Sequence, residues 1–258
     1  MTLRIGSVPY LNAKPIVDWF HTPECDVDAE VVYRVPSQLA LDLEEGRLDT
    51  ALVSIFEWFR RPEMVLIPGV SISADGPVQS VRLFSRVPVD RIRRVALDTS
   101  SLTSVAMTKI LLAEEFGLDP EYTHHPPDLD TMLEVADAAL IIGDLRLFER
   151  PVEEELDLGE LWKQNTGLPF VYAAWLARPD APTEELTDVL NRAREWGEPR
   201  LEETAAKWSR SMSLPLDRTR YYLMQVMHYR LEPDYQKAIE MFRAKCRTHG
   251  LVQNGDRG

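Results

Sequence analysis

Leu48-Asp-Thr-Ala-Leu-Val53 and Ala136-Asp-Ala-Ala-Leu-Ile141 resemble one another, and each reads as the buried strand of a βα unit. Upstream of the first, the apolar run Leu3–Val8 predicts a strand. The loop Pro9-Tyr-Leu-Asn-Ala-Lys-Pro15 follows, and then a helical pattern from about Ile16 to Phe20. Glu30–Tyr33 predicts another strand; Ser37 is placed to cap a helix running to Glu45, and Gly46 to end it before strand Leu48–Ser54. Around the second stretch, Val95–Leu97 predicts a strand, Asp98–Ser101 a polar turn, and Thr103–Phe116 a helix ended by Gly117. A helix near Asp130–Val135 then leads into strand Ala136–Ile142, stopped by Gly143-Asp144. Two βα units of like plan imply two similar lobes.

Val78–Phe84 and Phe170–Ala177 are long enough to be strands crossing between those lobes. Beyond Ala177 the pattern turns helical, over about Thr183–Trp196, Glu202–Trp208, Asp217–Tyr229 and Asp234–Thr248, and these helices are expected to pack on the first lobe. The expected architecture is α/β and two-lobed, with residues 1–86 and 175–258 in lobe one and residues 87–174 inserted as lobe two. In such folds a ligand lies in a cleft between lobes, at the carboxyl ends of the strands.

Composition narrows the function classes. With 258 residues, 45% of them hydrophobic, the chain can bury a substantial core, and a net charge of −13 argues against nonspecific nucleic-acid binding. The N-terminus lacks the apolar stretch of a signal peptide, and no later run is long enough to span a bilayer, so a cytoplasmic location is expected. Cys25 and Cys246 stand far apart and lack metal-ligand neighbours; they read as free thiols, with a disulfide between them as the alternative. His124-His125, in an expected loop, is not completed into a metal site by spacing, and no dinucleotide, hydrolase or zinc-protease motif occurs. Tyr221–Tyr229 carries its aromatic and Met residues at helical spacing, as a core-facing stripe would.

The richest chemistry lies in Asp98-Thr-Ser-Ser-Leu-Thr-Ser-Val105. Hydroxyls stand before and inside the first turn of a helix, where free N–H groups and the helix dipole favour an anion. Ser101 or Thr103 as a simple cap is the plainer reading, but the surplus of hydroxyls points to an anion site, with Thr103 and Ser104 as donors and a carboxylate as the occupant. Tyr10 and Asn12 hold the equivalent place in lobe one; Asn12 also suits a plain turn, and Lys14 reads as a surface charge. Ser54, Gly143 and Asp144 sit at strand ends, where cleft residues belong, and Asp144 also suits a helix cap. Ser80, after the Gly76-Pro77 turn, is either a small core residue or a cleft hydroxyl.

Arg4-Ile-Gly-Ser-Val-Pro-Tyr-Leu-Asn-Ala-Lys-Pro15 resembles the opening signature of the chorismate dehydratases of the futalosine menaquinone pathway. The resemblance runs through Leu48–Ser54, Ser71-Ile-Ser-Ala-Asp-Gly-Pro-Val-Gln-Ser-Val81 (where relatives often have a small residue at the place of Gln79), Thr99–Val105 and Ala138–Asp144. It continues in Asp157-Leu-Gly-Glu-Leu-Trp-Lys163 and Thr166-Gly-Leu-Pro-Phe170, and fades in the C-terminal helices. The resemblance implies a periplasmic-binding-protein-like fold of type II and loss of water from chorismate to give 3-[(1-carboxyvinyl)oxy]benzoate.

Aromatisation drives that reaction, so it needs neither metal nor cofactor. On the implied reading Asn12 and Ser80 lie near the reacting carbons, while Tyr10, Ser54, Thr103, Ser104, Gly143 and Asp144 bind substrate. The proton acceptor is Asp144 or, preferably, the substrate's own enolpyruvyl carboxylate. The rivals are the sister dihydroxynaphthoate synthases of the same pathway, which share the fold, and a non-catalytic cytoplasmic carboxylate-binding protein.

Overall fold

A computed structural model describes residues 2–98, 100–143 and 154–252. The chain divides into two units, Met1–Ser73 with Val171–Pro233, and Ala74–Phe170 with Asp234–Gly258.

In the first unit, strand β1 (Leu3–Ser7) lies parallel to β2 (Ala29–Tyr33) on one side and to β3 (Thr50–Ser54) on the other. Strand β10 (Phe170–Ala177) runs antiparallel to β3, and β4 (Val65–Ala74) closes the order β2-β1-β3-β10-β4. In the second unit, β6 (Arg94–Asp98) lies parallel to β7 (Glu121–His125) and β8 (Ala138–Ile142). Strand β5 (Val81–Ser85) runs antiparallel to β8, and β9 (Glu154–Asp157) closes the order β7-β6-β8-β5-β9. Each unit thus has three parallel strands followed by an antiparallel fourth. The two stretches that resemble one another in sequence lead into the equivalent strands β3 and β8.

The equivalence extends to the backbone at the amino ends of the strands. Asp49 accepts the Arg4 N–H at 2.9 Å, and its own N–H donates to the Arg4 carbonyl at 2.8 Å. Asp137 accepts the Arg93 and Arg94 N–H groups at 3.0 Å each and donates to the Arg94 carbonyl at 3.0 Å. The N–H groups of Arg178, after β10, and Arg86, after β5, close the pattern onto the carbonyls of Asp49 and Asp137 at 3.3 and 3.0 Å. One carboxylate in each unit thereby satisfies backbone N–H groups at the strand ends, at a buried position for Asp49 and a more exposed one for Asp137.

Helices follow the sequence signals with some exceptions; α5 (Leu129–Val135) and α8 (Leu201–Ser211) lie where the pattern puts them. Helix α4 (Leu102–Phe116) has Ser101 as N-cap and ends at Gly117 in the left-handed conformation, with Leu118 N–H returning to the Leu112 carbonyl. Helix α2 (Pro36–Glu44) starts on Pro36 with Val35 at the N-cap, so Ser37 lies inside the first turn and does not cap it; a proline at the first position needs no N–H partner. The first helical segment begins earlier than expected, as a 3-10 turn at Leu11–Ala13 and a short helix α1 (Lys14–Val17). A Cβ at position 197 would overlap the Pro15 carbonyl, so Gly197 lets α7 (Thr183–Gly197) press against α1.

The unit boundaries differ from the expectation. The chain passes from one unit to the other at 73/74 and 170/171, and Val81–Ser85 lies wholly in the second sheet. Helix α10 (Pro233–Thr248) belongs, from Asp234 onward, to the second unit and not to the first. Its Phe242 packs edge-on against Phe170 and Trp162, with ring centroids 4.9 and 5.8 Å away, and Lys245 and His249 both pair with Glu114. His124 and His125 lie on strand β7, not in a loop. Helix α6 (Leu158–Thr166), capped by Asp157, and the long strand β4 are among the elements that the sequence pattern did not mark.

Asp49 is nearly fully buried. Burial pushes its carboxyl pKa up, but hydrogen bonds and charge from Arg4, with charge from Arg178, outweigh that and hold it below the usual value. A depressed folded-state pKa contributes stability that is present above the unfolded value, near 4, and is lost as pH falls through the folded one. Asp49→Asn should therefore lower unfolding stability by about 2 kcal/mol at neutral pH. The gap from the unsubstituted chain should narrow as pH drops below about 4 in urea titrations; a gap unchanged across that range would rule the ion pair out as its source.

Candidate functional site

The carboxyl ends of the parallel strands carry most of the expected site residues, unit by unit. In the first unit β1 ends at Ser7, and the chain turns through Tyr10, at the N-cap position of the 3-10 turn, to Asn12. Ser54 ends the neighbouring β3 and opens helix α3 (Ile55–Arg60), so Tyr10, Asn12 and Ser54 belong to adjacent strand ends. Asn12 Nδ2 donates to the Tyr222 hydroxyl at 3.3 Å. Tyr222 is buried, at the start of a π-helical segment, Tyr222–Val226, that continues α9 (Leu216–Tyr221).

Sequence reasoning placed Tyr222 in a core stripe and gave it no part in the site. A single π turn shifts side chains off α-helical spacing, and π segments recur at functional sites, but the residue pattern does not announce one. Lys14 also departs from expectation: it is buried, not a surface charge. Its ammonium sits 4.2 Å from the Trp208 ring centroid and 4.7 Å from that of Tyr33, and burial pushes its pKa down. The two rings compensate the lost water, so Lys14 reads as packing for α1 beneath the Asn12 turn.

In the second unit Ser80, Thr103, Ser104 and Gly143 gather at one edge of one sheet. Ser80 directly precedes β5, whose first residue pairs with Ile142 at the end of β8. The Gly143 N–H donates to the Ser80 carbonyl at 2.7 Å, extending that pairing by one residue. Gly143 has φ +77°, a left-handed conformation that glycine takes without the Cβ penalty. Between them stands Asp98, at the end of β6 and fully buried. Its carboxylate accepts from the Ser100 N–H at 2.8 Å, the Ser100 hydroxyl at 2.5 Å and the Ile142 N–H at 3.3 Å. Burial pushes the Asp98 pKa up against the pull of those hydrogen bonds. Asp98 therefore stitches the hydroxyl-rich turn to the end of β8, a role that sequence reasoning overlooked, since it read the residue only as part of a polar turn.

The plainer reading of that turn holds for Ser101. Its hydroxyl is the N-cap oxygen, accepting the Ser104 N–H at a long 3.4 Å and lying 3.2 Å from the Ser104 hydroxyl. Thr103 and Ser104 are buried in the same first turn, and Asp144 lies outside the described residues. The loop before Ser80 is bent sharply. Gln79 has φ +64°, and the Ser80 N–H donates to the Val78 carbonyl at 2.8 Å, making a γ-turn of the rare positive-φ kind. Such backbone costs on the order of 1–3 kcal/mol and persists where the surroundings enforce it, most often at functional sites.

A family model described as menaquinone biosynthesis matches residues 3–248. The chain belongs to that family. It is 33% identical over 250 residues to the chorismate dehydratase of Thermus thermophilus, covering 89% of this chain and 90% of that one. It is 26% identical over 255 residues to the chorismate dehydratase of Campylobacter jejuni, covering 96% and 99%. Among solved structures, the periplasmic aliphatic sulphonate binding protein SsuA of Escherichia coli superposes with a TM-score of 0.69 at 16% identity, covering 98% of this chain and 94% of that one. That likeness establishes the α/β periplasmic-binding-protein-like fold and nothing about ligand. The family is one of biosynthetic enzymes, and no helix among the described residues is long and apolar enough to cross a membrane.

Gly143→Ala adds a Cβ that meets no neighbour among the described residues, so the cost expected there is conformational. It should lower stability by about 1–2 kcal/mol, measured by thermal or urea unfolding. A neutral substitution would show that the left-handed turn beside Ser80 relaxes freely.

Proposed function

We propose that this chain is a chorismate dehydratase, a carbon–oxygen hydro-lyase that converts chorismate to 3-[(1-carboxyvinyl)oxy]benzoate and water on the futalosine route to menaquinone. The observation that carries the reading is membership of the menaquinone-biosynthesis family across residues 3–248, with chorismate dehydratases as full-length relatives. A cytoplasmic location goes with that biosynthetic role.

The chemistry suits the groups the two units present. Chorismate is a dianion, and the hydrogen on its ether-bearing ring carbon is conjugated through a ring double bond to the ring carboxylate. Removing that proton sends the electron pair toward the carboxylate. Expelling the neighbouring hydroxyl, with a proton, as water then leaves an aromatic ring. The protein must hold two anions and stabilise charge as it builds on the ring carboxylate. On this reading the first turn of α4, with Thr103 and Ser104, takes the ring carboxylate, and Gly143 lines the same strand edge.

Ser80 and Asn12 act at the reacting carbons, donating to the departing hydroxyl or orienting the proton. Tyr10 and Ser54 are assigned to substrate binding as well. Asn12 is steadied for this by Tyr222, which takes one of its amide hydrogens. Among the described residues, the side chains named at these strand ends are hydroxyls and amides, and Asp98 accepts from Ser100 and the Ile142 N–H. Of the two candidate proton acceptors, Asp144 and the enolpyruvyl carboxylate, the proposed one is the latter, which is already tethered to the ring it deprotonates.

Steady-state kinetics with chorismate test the assignments. Asn12→Ala and Ser80→Ala should each lower kcat by roughly ten- to a thousandfold in a protein of unchanged circular dichroism. Near-normal rates in both would remove these residues from the mechanism. Thr103→Val combined with Ser104→Ala should chiefly raise KM, and an unchanged KM would refute the carboxylate site.

A further inference from the structure

We propose that Asp157 is a positioning residue for Ser80, holding the strained turn at Gln79 in the backbone shape that sets Ser80 beside Gly143. The inference rests on the assignment of Ser80 above and adds a residue to which that assignment gives no part. One Asp157 oxygen accepts the Val78 N–H at 3.0 Å, and the other accepts the Gln79 N–H at 2.7 Å. The oxygen that holds Val78 also accepts the Gly159 and Glu160 N–H groups, at 3.0 and 3.1 Å, as the N-cap of α6. One carboxylate thus ties two consecutive amides of a loop to the start of a helix.

The geometry of the loop explains why it needs tying. A γ-turn with positive φ at a glutamine is not a shape that three residues keep unaided. With the Val78 and Gln79 amides fixed, the Ser80 N–H reaches the Val78 carbonyl and the Ser80 carbonyl meets the Gly143 N–H, so the residue is held from both sides. Helix α6 is itself anchored. Trp162 donates to the Pro169 carbonyl at 2.9 Å and packs on Phe170, while Lys163 pairs with Asp75 at the other end of the same loop at 2.5 Å. The helix therefore serves as a fixed post, and Asp157 is the tether from it to Ser80.

Three variants, Asp157→Ala, Asp157→Asn and the pair Asp157→Ala with Gln79→Gly, separate positioning from mere support. With chorismate, Asp157→Ala should lower kcat about ten- to a hundredfold with little change in KM, and Asp157→Asn, which keeps one accepting oxygen, should fall between. Adding Gln79→Gly should recover several-fold of the lost kcat, because glycine adopts positive φ without the tether. A residue that only caps a helix would lower the melting temperature and leave kcat intact below it. Full kcat in Asp157→Ala, or no recovery from Gln79→Gly, overturns the proposal. Amide hydrogen exchange reads the tether without any substrate: Asp157→Asn should speed exchange at Val78, Gln79 and Ser80 relative to the core of β6, and unchanged protection also overturns it. An unsubstituted chain that leaves chorismate untouched while these amides still deprotect would sink the substrate assignment and keep the tether.

Discussion

Buried parallel strands leave a row of backbone groups at each end, and how those groups are satisfied governs everything else in this chain. At the amino ends the answer is one aspartate per unit. Asp49 and Asp137 each take the N–H of the first parallel strand and return their own N–H to it. That closes one edge of each sheet. Polar variety is left to the opposite edge, where the strands run out into turns carrying Asn12, Ser54, Ser80, Ser101 and Gly143.

The two carboxyl edges solve the same problem differently. In the first unit a short 3-10 turn presents an amide, steadied by a tyrosine from a π-helical segment distant in the chain. In the second unit a long helix begins at the edge, and its first turn offers N–H groups and hydroxyls in one place. Asp98, buried and shared between Ser100 and the Ile142 amide, keeps that turn registered on the end of β8. A rigid arrangement of donors needs no reorganisation as charge develops, which is what a reaction driven by aromatisation asks of its catalyst.

Much of this was legible in the residues. The likeness of Leu48–Val53 to Ala136–Ile141 predicted the repeated βα plan, because a buried strand has few acceptable compositions and its aspartate has a fixed task. Gly117 and the hydroxyls before α4 marked that helix correctly. Other features were hidden for physical reasons. Strand β7 is Glu-Tyr-Thr-His-His at a sheet edge, where polar residues are tolerated, so it reads as a loop. Val78–Ser80 reads as the start of a strand with Val81–Phe84, although its backbone is a turn set by long-range hydrogen bonds. Lys14 is buried against ring faces that Tyr33 and Trp208, far away in sequence, supply. Tyr222 and Asp157 act through hydrogen bonds spanning 210 and 78–79 residues, which no local pattern encodes.

What this chain does to chorismate decides the assignment. Purified protein incubated with chorismate, without added cofactor, should abolish the diene absorbance and yield an aromatic product lighter by one water, identified by mass as 3-[(1-carboxyvinyl)oxy]benzoate. Chorismate recovered unchanged under conditions where the protein is folded, or turnover instead of a cyclic futalosine derivative, would contradict it.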